Sequence, residues 1–408
     1  MTEHPVRLVL TDDLRRSRLT VFFRLLLAIP HVVWAALVGI AVAAAVLANW
    51  FVLLIRGQTP LALHRFVAGY VRYLIQVGAF VLLAANPFPA FFPVGDRRYP
   101  IDVEIAPPER QSRWVTASRL LLLVPAIALS GALLGSAYRR TRGGVGAGGL
   151  SITAGFLIWW AALVRGRAPR GLRDLVAWGL GYSAQALAYA LLLTDRYPYS
   201  GPEAHLPPLE EDDFAPPHPV TLAVADDLRR SRLTVLFRLL LAFPHFVWLA
   251  LWTVLAWLAA LANWVATLVT GRSPQPLVRF LSAYIRYTAH VAAFVSMVGN
   301  QFPGFVGLAG SYPVDVELVP ADRQSRWTTG FRLLLALPAF LVSGGANGLL
   351  ATAAILGWFS SLARGRMPQG LRNGGAYAIG YGAQTLAYAF LVTDRYPDST
   401  PRRLLRTG

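Results

Sequence analysis

The sequence predicts an all-α integral membrane protein made of four tandem two-helix repeats in the order A-B-A-B, about eight transmembrane helices in all. Three observations carry this reading. Of the 408 residues, 55% are apolar and 14% charged, against about 45–50% and about 25% in soluble domains. Uncharged runs extend from Val32 to Ile55 and from Phe246 to Thr270, and a hydrocarbon core about 30 Å thick needs about 20 helical residues. The run that starts Asp12-Asp13-Leu14-Arg15-Arg16-Ser17-Arg18 also returns almost unchanged from Asp226.

Charge and cysteine content narrow the classes. The 38 basic residues are all Arg, the net charge is +17 and there is no Cys. Disulfides, thiolate metal sites and Cys nucleophiles are therefore excluded. A basic chain can bind nucleic acid or an anionic membrane; the apolar runs favour the membrane, and no nucleic-acid partner is expected. The N-terminus carries Glu3, Asp12, Asp13, Arg15, Arg16 and Arg18 before any apolar run, so it does not read as a removed signal peptide.

A fainter copy lies inside each half. Ser-Arg, a second Arg and a Pro recur at Ser17, Arg18, Arg24 and Pro30; Ser112, Arg113, Arg119 and Pro125; Ser231, Arg232, Arg238 and Pro244; and Ser325, Arg326, Arg332 and Pro338. A Trp-Gly-Pro pattern follows at Trp50, Trp159, Trp264 and Trp358, each with its Gly and Pro downstream. Repeats run over 5–89, 100–198, 219–303 and 313–397. They divide the chain into a first half (1–198), an acidic, Pro-rich linker (199–218), a second half (219–397) and a basic tail (398–408).

Each repeat has the same predicted elements. Alternating residues such as Val6-Arg7-Leu8-Val9-Leu10 and Ile101-Asp102-Val103-Glu104-Ile105 read as a short strand. Short strands are unstable alone, so the four are expected to pair into a small cytoplasmic β-element. Asp12 or Asp13 is expected to cap an interfacial amphipathic helix that leads into the first span. Arg-Gly-x-x-Pro makes a tight tip, with Gly ending one helix and Pro beginning the next. Second spans are expected over Phe66–Ala85, Leu175–Leu193, Leu281–Val298 and Tyr377–Val392.

The Pro-Val-x-Leu opening, the Asp-Asp-Leu-Arg-Arg-Ser-Arg run and the Arg-Tyr-Pro close resemble those of actinobacterial multi-pass membrane proteins that carry tandem copies of a domain of unknown function. The resemblance covers nearly the whole chain. It implies no activity and no catalytic residues.

Three groups of residues are candidates for function. Arg18, Arg24, Arg113, Arg119, Arg232, Arg238, Arg326 and Arg332 are candidates for binding lipid headgroups or anchoring helices at the interface. Tyr73, Gln76, Tyr182, Gln185, Tyr287, His290, Tyr381 and Gln384 share one face of the second helices as a midplane polar belt, which either bonds helices together or lines a pathway. Arg72 and Arg286 are intramembrane cations without an obvious partner. Isolated His31 and His245 are too few for a metal, and no cofactor is expected. The sequence thus points to a non-enzymatic membrane scaffold or accessory subunit that contacts anionic lipid or a partner complex. A channel or transporter using the Tyr/Gln belt is the alternative, and a lipid-modifying enzyme comes last. Arg counts place both termini in the cytoplasm and the chain in the inner (plasma) membrane.

Overall fold

The computed structural model describes residues 4–91, 99–135, 149–207, 217–321, 323–402 and 405–407. The insertion residues Arg139, Arg140 and Arg142 and the linker acids Glu210, Glu211, Asp212 and Asp213 lie outside them. The chain divides into two compact units, Met1–Pro208 and Leu209–Gly408.

Unit 1 runs β1 (Val6–Leu10), α1 (Arg18–Phe22), α2 (Arg24–Arg56), α3 (Leu61–Val81), β2 (Ile101–Ile105), α4 (Arg113–Leu134), α5 (Leu150–Arg165) and α6 (Arg170–Ala190). Unit 2 repeats the order with β3 (Val220–Val224), α7 (Arg232–Leu236), α8 (Arg238–Thr270), α9 (Gln275–Val295), β4 (Val314–Leu318), α10 (Arg326–Gly330), α11 (Arg332–Arg364), α12 (Gln369–Ala389) and β5 (Leu405–Thr407). Where α11 is continuous through Ser343-Gly344-Gly345, repeat 2 splits the matching helix into α4 and α5. The two pieces still meet, because a Cβ on Gly149 would collide with the backbone of Gly135.

Local chemistry accounts for the tips. Gly57, Gly166, Gly271 and Gly365 follow the long first helices with φ between 68° and 71°, a left-handed conformation that glycine adopts without Cβ strain. Pro60, Pro169, Pro274 and Pro368 then stand at the N-caps of the second helices.

The openings depart from expectation. Asp12 and Asp13 do not cap a helix. Asp12 accepts the Leu14 N–H at 3.1 Å, Asp13 accepts the Arg15 N–H at 3.0 Å, and the helix begins only at Arg18. Asp12 and Asp226 thus hold turns in which Leu14 and Leu228 take positive φ.

The strands also pair two by two within each unit, not as one four-stranded sheet. β1 is antiparallel to β2, with Val6 opposite Ile105, Leu8 opposite Val103 and Leu10 opposite Ile101. β3 and β4 pair in the same way, and β5 adds parallel to β3. Val6 and Ile101 are equivalent positions, so this register is symmetric about Leu8 and Val103. Neighbouring strands exchanged by an antiparallel two-fold must have that axis normal to the sheet. Both repeats therefore place their helices against the same face.

The openings are exchanged between the repeats of a unit. β1, from repeat 1, packs on α6 of repeat 2, and β2 packs on α3 of repeat 1. The Arg16 N–H donates to Gly166 O at 2.9 Å, and the Ala168 N–H returns a bond to Leu14 O at 2.8 Å. Reciprocally, the Gln111 N–H donates to Gly57 O at 2.8 Å. Unit 2 repeats the exchange through Arg230 N to Gly365 O and Gln324 N to Gly271 O.

Beneath the sheets, α3 packs on α6 and α9 on α12, and the long first helices flank these pairs. Four helices, α2, α4, α8 and α11, are long and apolar enough to cross a membrane; α5 is apolar but shorter. The second helices α3, α6, α9 and α12 are not among these four, and they pack against strands and other helices. In α6 and α12, nearly every residue from Arg173 to Gln185 and from Gly370 to Tyr381 is buried.

Exchange predicts where autonomy ends. Residues 1–208 expressed alone in detergent should be monomeric and melt cooperatively by circular dichroism. Residues 1–98 alone should either fail to fold or dimerise by swapping openings, as read by light scattering.

Candidate functional site

The structure divides the predicted arginines into two sets with different chemistry. Arg24, Arg119, Arg238 and Arg332 are buried and bond to protein, so they cannot reach a lipid headgroup. Arg24 donates to Phe80 O at 2.6 Å and Ala85 O at 2.8 Å, and Arg238 donates to Phe294 O at 2.6 Å and Gly299 O at 3.1 Å. Arg119 donates to Tyr189 O, Thr194 O and Gln111 Oε1, and Arg332 to Gln324 Oε1 and Asp394 Oδ1. Each guanidinium also lies over a ring of its own repeat's second helix: Phe80, Tyr189, Phe294 or Tyr388, at 4.2–4.6 Å.

These arginines stabilise helix ends that need it. The last turns of the second helices place Leu83, Leu192, Met297 and Leu391 at φ between 60° and 65°, which costs a non-glycine residue on the order of 1 kcal/mol. The turn also leaves terminal carbonyls without helical donors. A planar guanidinium supplies several donors from one side chain. Arg16 and Arg230 complete the caps: Arg16 reaches Leu83 O at 2.8 Å and Ala84 O at 2.6 Å while it pairs with Asp12 at 2.7 Å. Sequence reasoning missed Arg16 and Arg230. Their signal was the acid four residues earlier.

The polar belt is likewise used internally. Gln76 donates to Asp102 on β2 at 3.0 Å, and His290 bonds Asp315 on β4 at 2.8 Å. Gln185 donates to Val6 O at 3.1 Å and Gln384 to Val220 O at 2.8 Å. Each of these side chains therefore holds an exchanged strand, and all four are at most 3% exposed. Tyr73 and Tyr287 bond His31 and His245 at 2.8 and 2.7 Å; Tyr182 and Tyr381 are buried in α6 and α12.

Arg72 does have a partner, pairing with Asp102, while Arg286 donates to Val316 O at 3.0 Å. Burial alone would raise the Asp102 carboxyl, but bonds from Arg72, the Val103 N–H and Gln76 hold it below its ordinary value. Asp315 is held down against burial in the same way, by His290 and the Gly310 N–H. A groove of about 500 Å³ opens beside Arg72, lined also by His64, Arg65, Asp102 and Glu104.

The second arginine set is exposed and gathers at the tips. In unit 1, Arg15 and Arg18 of the repeat 1 opening meet Arg165 and Arg167 of the repeat 2 tip. Arg15 bridges Arg167 through the backbone, and Arg18 donates to Val164 O at 2.9 Å. Unit 2 builds the same quartet from Arg229, Arg232, Arg364 and Arg366, with Arg232 donating to Ala363 O at 3.1 Å. At the other tip of unit 1 stand Arg56, Arg110 and Arg113, the last donating to Ile55 O at 2.8 Å. The fourth tip brings Arg326 beside Gly271. No ion pair occupies Arg15, Arg18, Arg165 or Arg167 among the described residues.

Around these tips the surface is apolar: Leu19, Ile55, Val164 and Leu233 are exposed, and Trp114 and Trp327 stand 86% and 80% exposed. Trp50, Trp159, Trp264 and Trp358 donate to Thr116 O, Val21 O, Thr329 O and Val235 O of exchanged openings. Among the described residues, no cluster of three or more His, Asp or Glu side chains is arranged to hold a metal.

A family model described as Domain of unknown function (DUF4389) matches residues 18–93, 147–200, 232–306 and 326–399. The chain therefore belongs to that family and carries it in four tandem copies. The second match begins at residue 147, just before α5, and so leaves α4 outside it. No curated protein and no solved structure matches the chain.

The two arginine sets should respond differently to replacement. Arg24→Leu strips the donors from several buried carbonyls and should lower stability by about 3 kcal/mol, with Arg24→Lys recovering less than half. Arg18→Leu should cost about 0.5 kcal/mol or less. Thermal unfolding in detergent measures all three.

Proposed function

We propose that this family member is a non-enzymatic membrane scaffold or accessory subunit that contacts anionic lipid through its arginine tips. One observation carries the reading: wide apolar faces on α2, α4–α5, α8 and α11 end at groups of exposed arginines. On α2, the exposed face from Leu25 to Ile55 holds Leu, Ile, Val, Ala and Phe side chains with no charge inside it. Such a face meets hydrocarbon favourably. Guanidinium groups at its ends suit phosphate oxygens, which they can bind in bidentate fashion. The reading places the chain in the plasma membrane and leaves room for a protein partner on the polar side.

A solute pathway through the Tyr/Gln belt lacks comparable support, because Gln76, Gln185, His290 and Gln384 are all engaged by strands.

Near an anionic surface each Arg contributes about 1 kcal/mol. The purified full chain should therefore retain phosphatidylglycerol or cardiolipin over phosphatidylcholine. Replacing Arg15, Arg18, Arg165 and Arg167 together with Gln should lower that preference roughly 100-fold or more. Native mass spectrometry of retained lipids measures it. An unchanged preference would contradict the assignment of the tips.

A further inference from the structure

We infer that unit 1 lies flat in one leaflet, with α2 parallel to the membrane plane instead of crossing it. The inference rests on the membrane reading above and adds the orientation of the unit.

Three observations point to the flat seating. The first is length. The exposed apolar face of α2 runs from Leu25 to Ile55, about 45 Å at 1.5 Å per residue. To fit a hydrocarbon core about 30 Å thick, it would have to tilt by about 50°, beyond the usual range of about 0–40°. In-plane burial of one helix face has no such limit.

The second observation is the strand beside the second helix. After α3 the chain returns along it: Tyr99 donates to Pro87 O at 2.6 Å, Asp102 meets Gln76, and Gln58 at the tip donates to Pro108 O at 3.2 Å. The segment 99–108, with β2 at its middle, therefore runs along α3 from one end to the other. If α2 and α3 stood upright, β1 and β2 would lie at hydrocarbon depth. Among the described residues this two-stranded sheet has no third strand on either edge, and it carries a charged outer pair, Arg7–Glu104, whose side chains are 50% and 48% exposed. Unpaired strand backbone and charges do not face lipid. With the unit flat, the sheet lies on the water side.

The third is symmetry. The two-fold axis is normal to the sheet, so equivalent points of repeats 1 and 2 lie at one height above it. Arg15, Arg18, Arg165 and Arg167 stand at one end of α2, and Arg56, Arg110 and Arg113 at the other. A flat unit places both groups in the headgroup layer of the same leaflet. Trp114, beside Arg113, then enters that layer, where an indole is favoured.

The chain contains no cysteine, so single introduced thiols can report the orientation directly. Ser17→Cys marks one end of α2 and Gln58→Cys the other; both sites are exposed. The full-length variants are expressed in a bacterial inner membrane and labelled with a membrane-impermeant maleimide in right-side-out and inverted vesicles. Flat seating predicts that both thiols react from the same face, and from the opposite face only after permeabilisation. Reaction from opposite faces would overturn the inference and make α2 a span while leaving the membrane reading intact. Recovery of the chain in the soluble fraction would defeat the membrane reading itself. If either variant misfolds, Asp13→Cys and Glu109→Cys mark the same two ends and carry the same prediction.

Discussion

The structure depends on where the opening segment of each repeat finds its backbone partners. A five-residue strand and a short helix bury too little to stand alone. The opening of repeat 1 solves this by pairing with its counterpart and by exchanging backbone bonds with the tip of repeat 2, Arg16 N to Gly166 O and Ala168 N to Leu14 O. Repeat 2 returns the exchange at Gly57. The smallest closed structure is therefore a pair of repeats, and the four copies in the chain make two such structures.

Much else follows from that exchange. A strand laid along each second helix requires a polar side chain to face it, which is why Gln76, Gln185, His290 and Gln384 sit where they do. A chain that reverses at the end of a second helix must take a left-handed turn and expose carbonyls to the interior, which is why guanidinium groups gather there. The first helices, left outside, keep an apolar surface that none of the described residues covers. Arginine serves both regions: Arg24 is held among carbonyls under Phe80, while Arg18, six residues earlier, is exposed at a tip. With one kind of cation in the sequence, burial alone separates the two roles.

Much of this was legible in the residues. Recurrence of Ser17, Arg18, Arg24 and Pro30 located all four repeats, and Gly57 with Pro60 located the tip. The alternation at Val6 and Ile101 identified the strands. How many of the second helices cross a membrane is not legible in the residues, because hydropathy does not distinguish burial in protein from burial in lipid. Gln76 could be recognised as a polar group needing a partner, but not as one that faces Asp102, which lies in another repeat. The same limit applied to Arg72. Arg24 looked interfacial because its true ligands, the carbonyls of Phe80 and Ala85, carry no sequence signal. Asp12 resembled a helix cap because the local pattern of an acid before a helix is shared by an Asx-type turn.

The account stands on the exchange of openings between repeats, and a disulfide test addresses it directly. Arg15 and Arg167 bridge as antiparallel neighbours, and such pairs have Cα separations of about 4.5–5.5 Å, within reach of a disulfide. Arg15→Cys with Arg167→Cys, in the otherwise cysteine-free full chain, should oxidise readily. A protease site placed between residues 98 and 99 then allows the outcome to be read as fragments that remain joined on a non-reducing gel. Arg15→Cys with Gln58→Cys, which joins the same opening to the tip of its own repeat, should stay reduced; both positions lie in one fragment, so this pair is read as two free thiols that take up a maleimide mass tag. Oxidation of the second pair in preference to the first would mean that each opening folds back onto its own repeat, and would contradict the account.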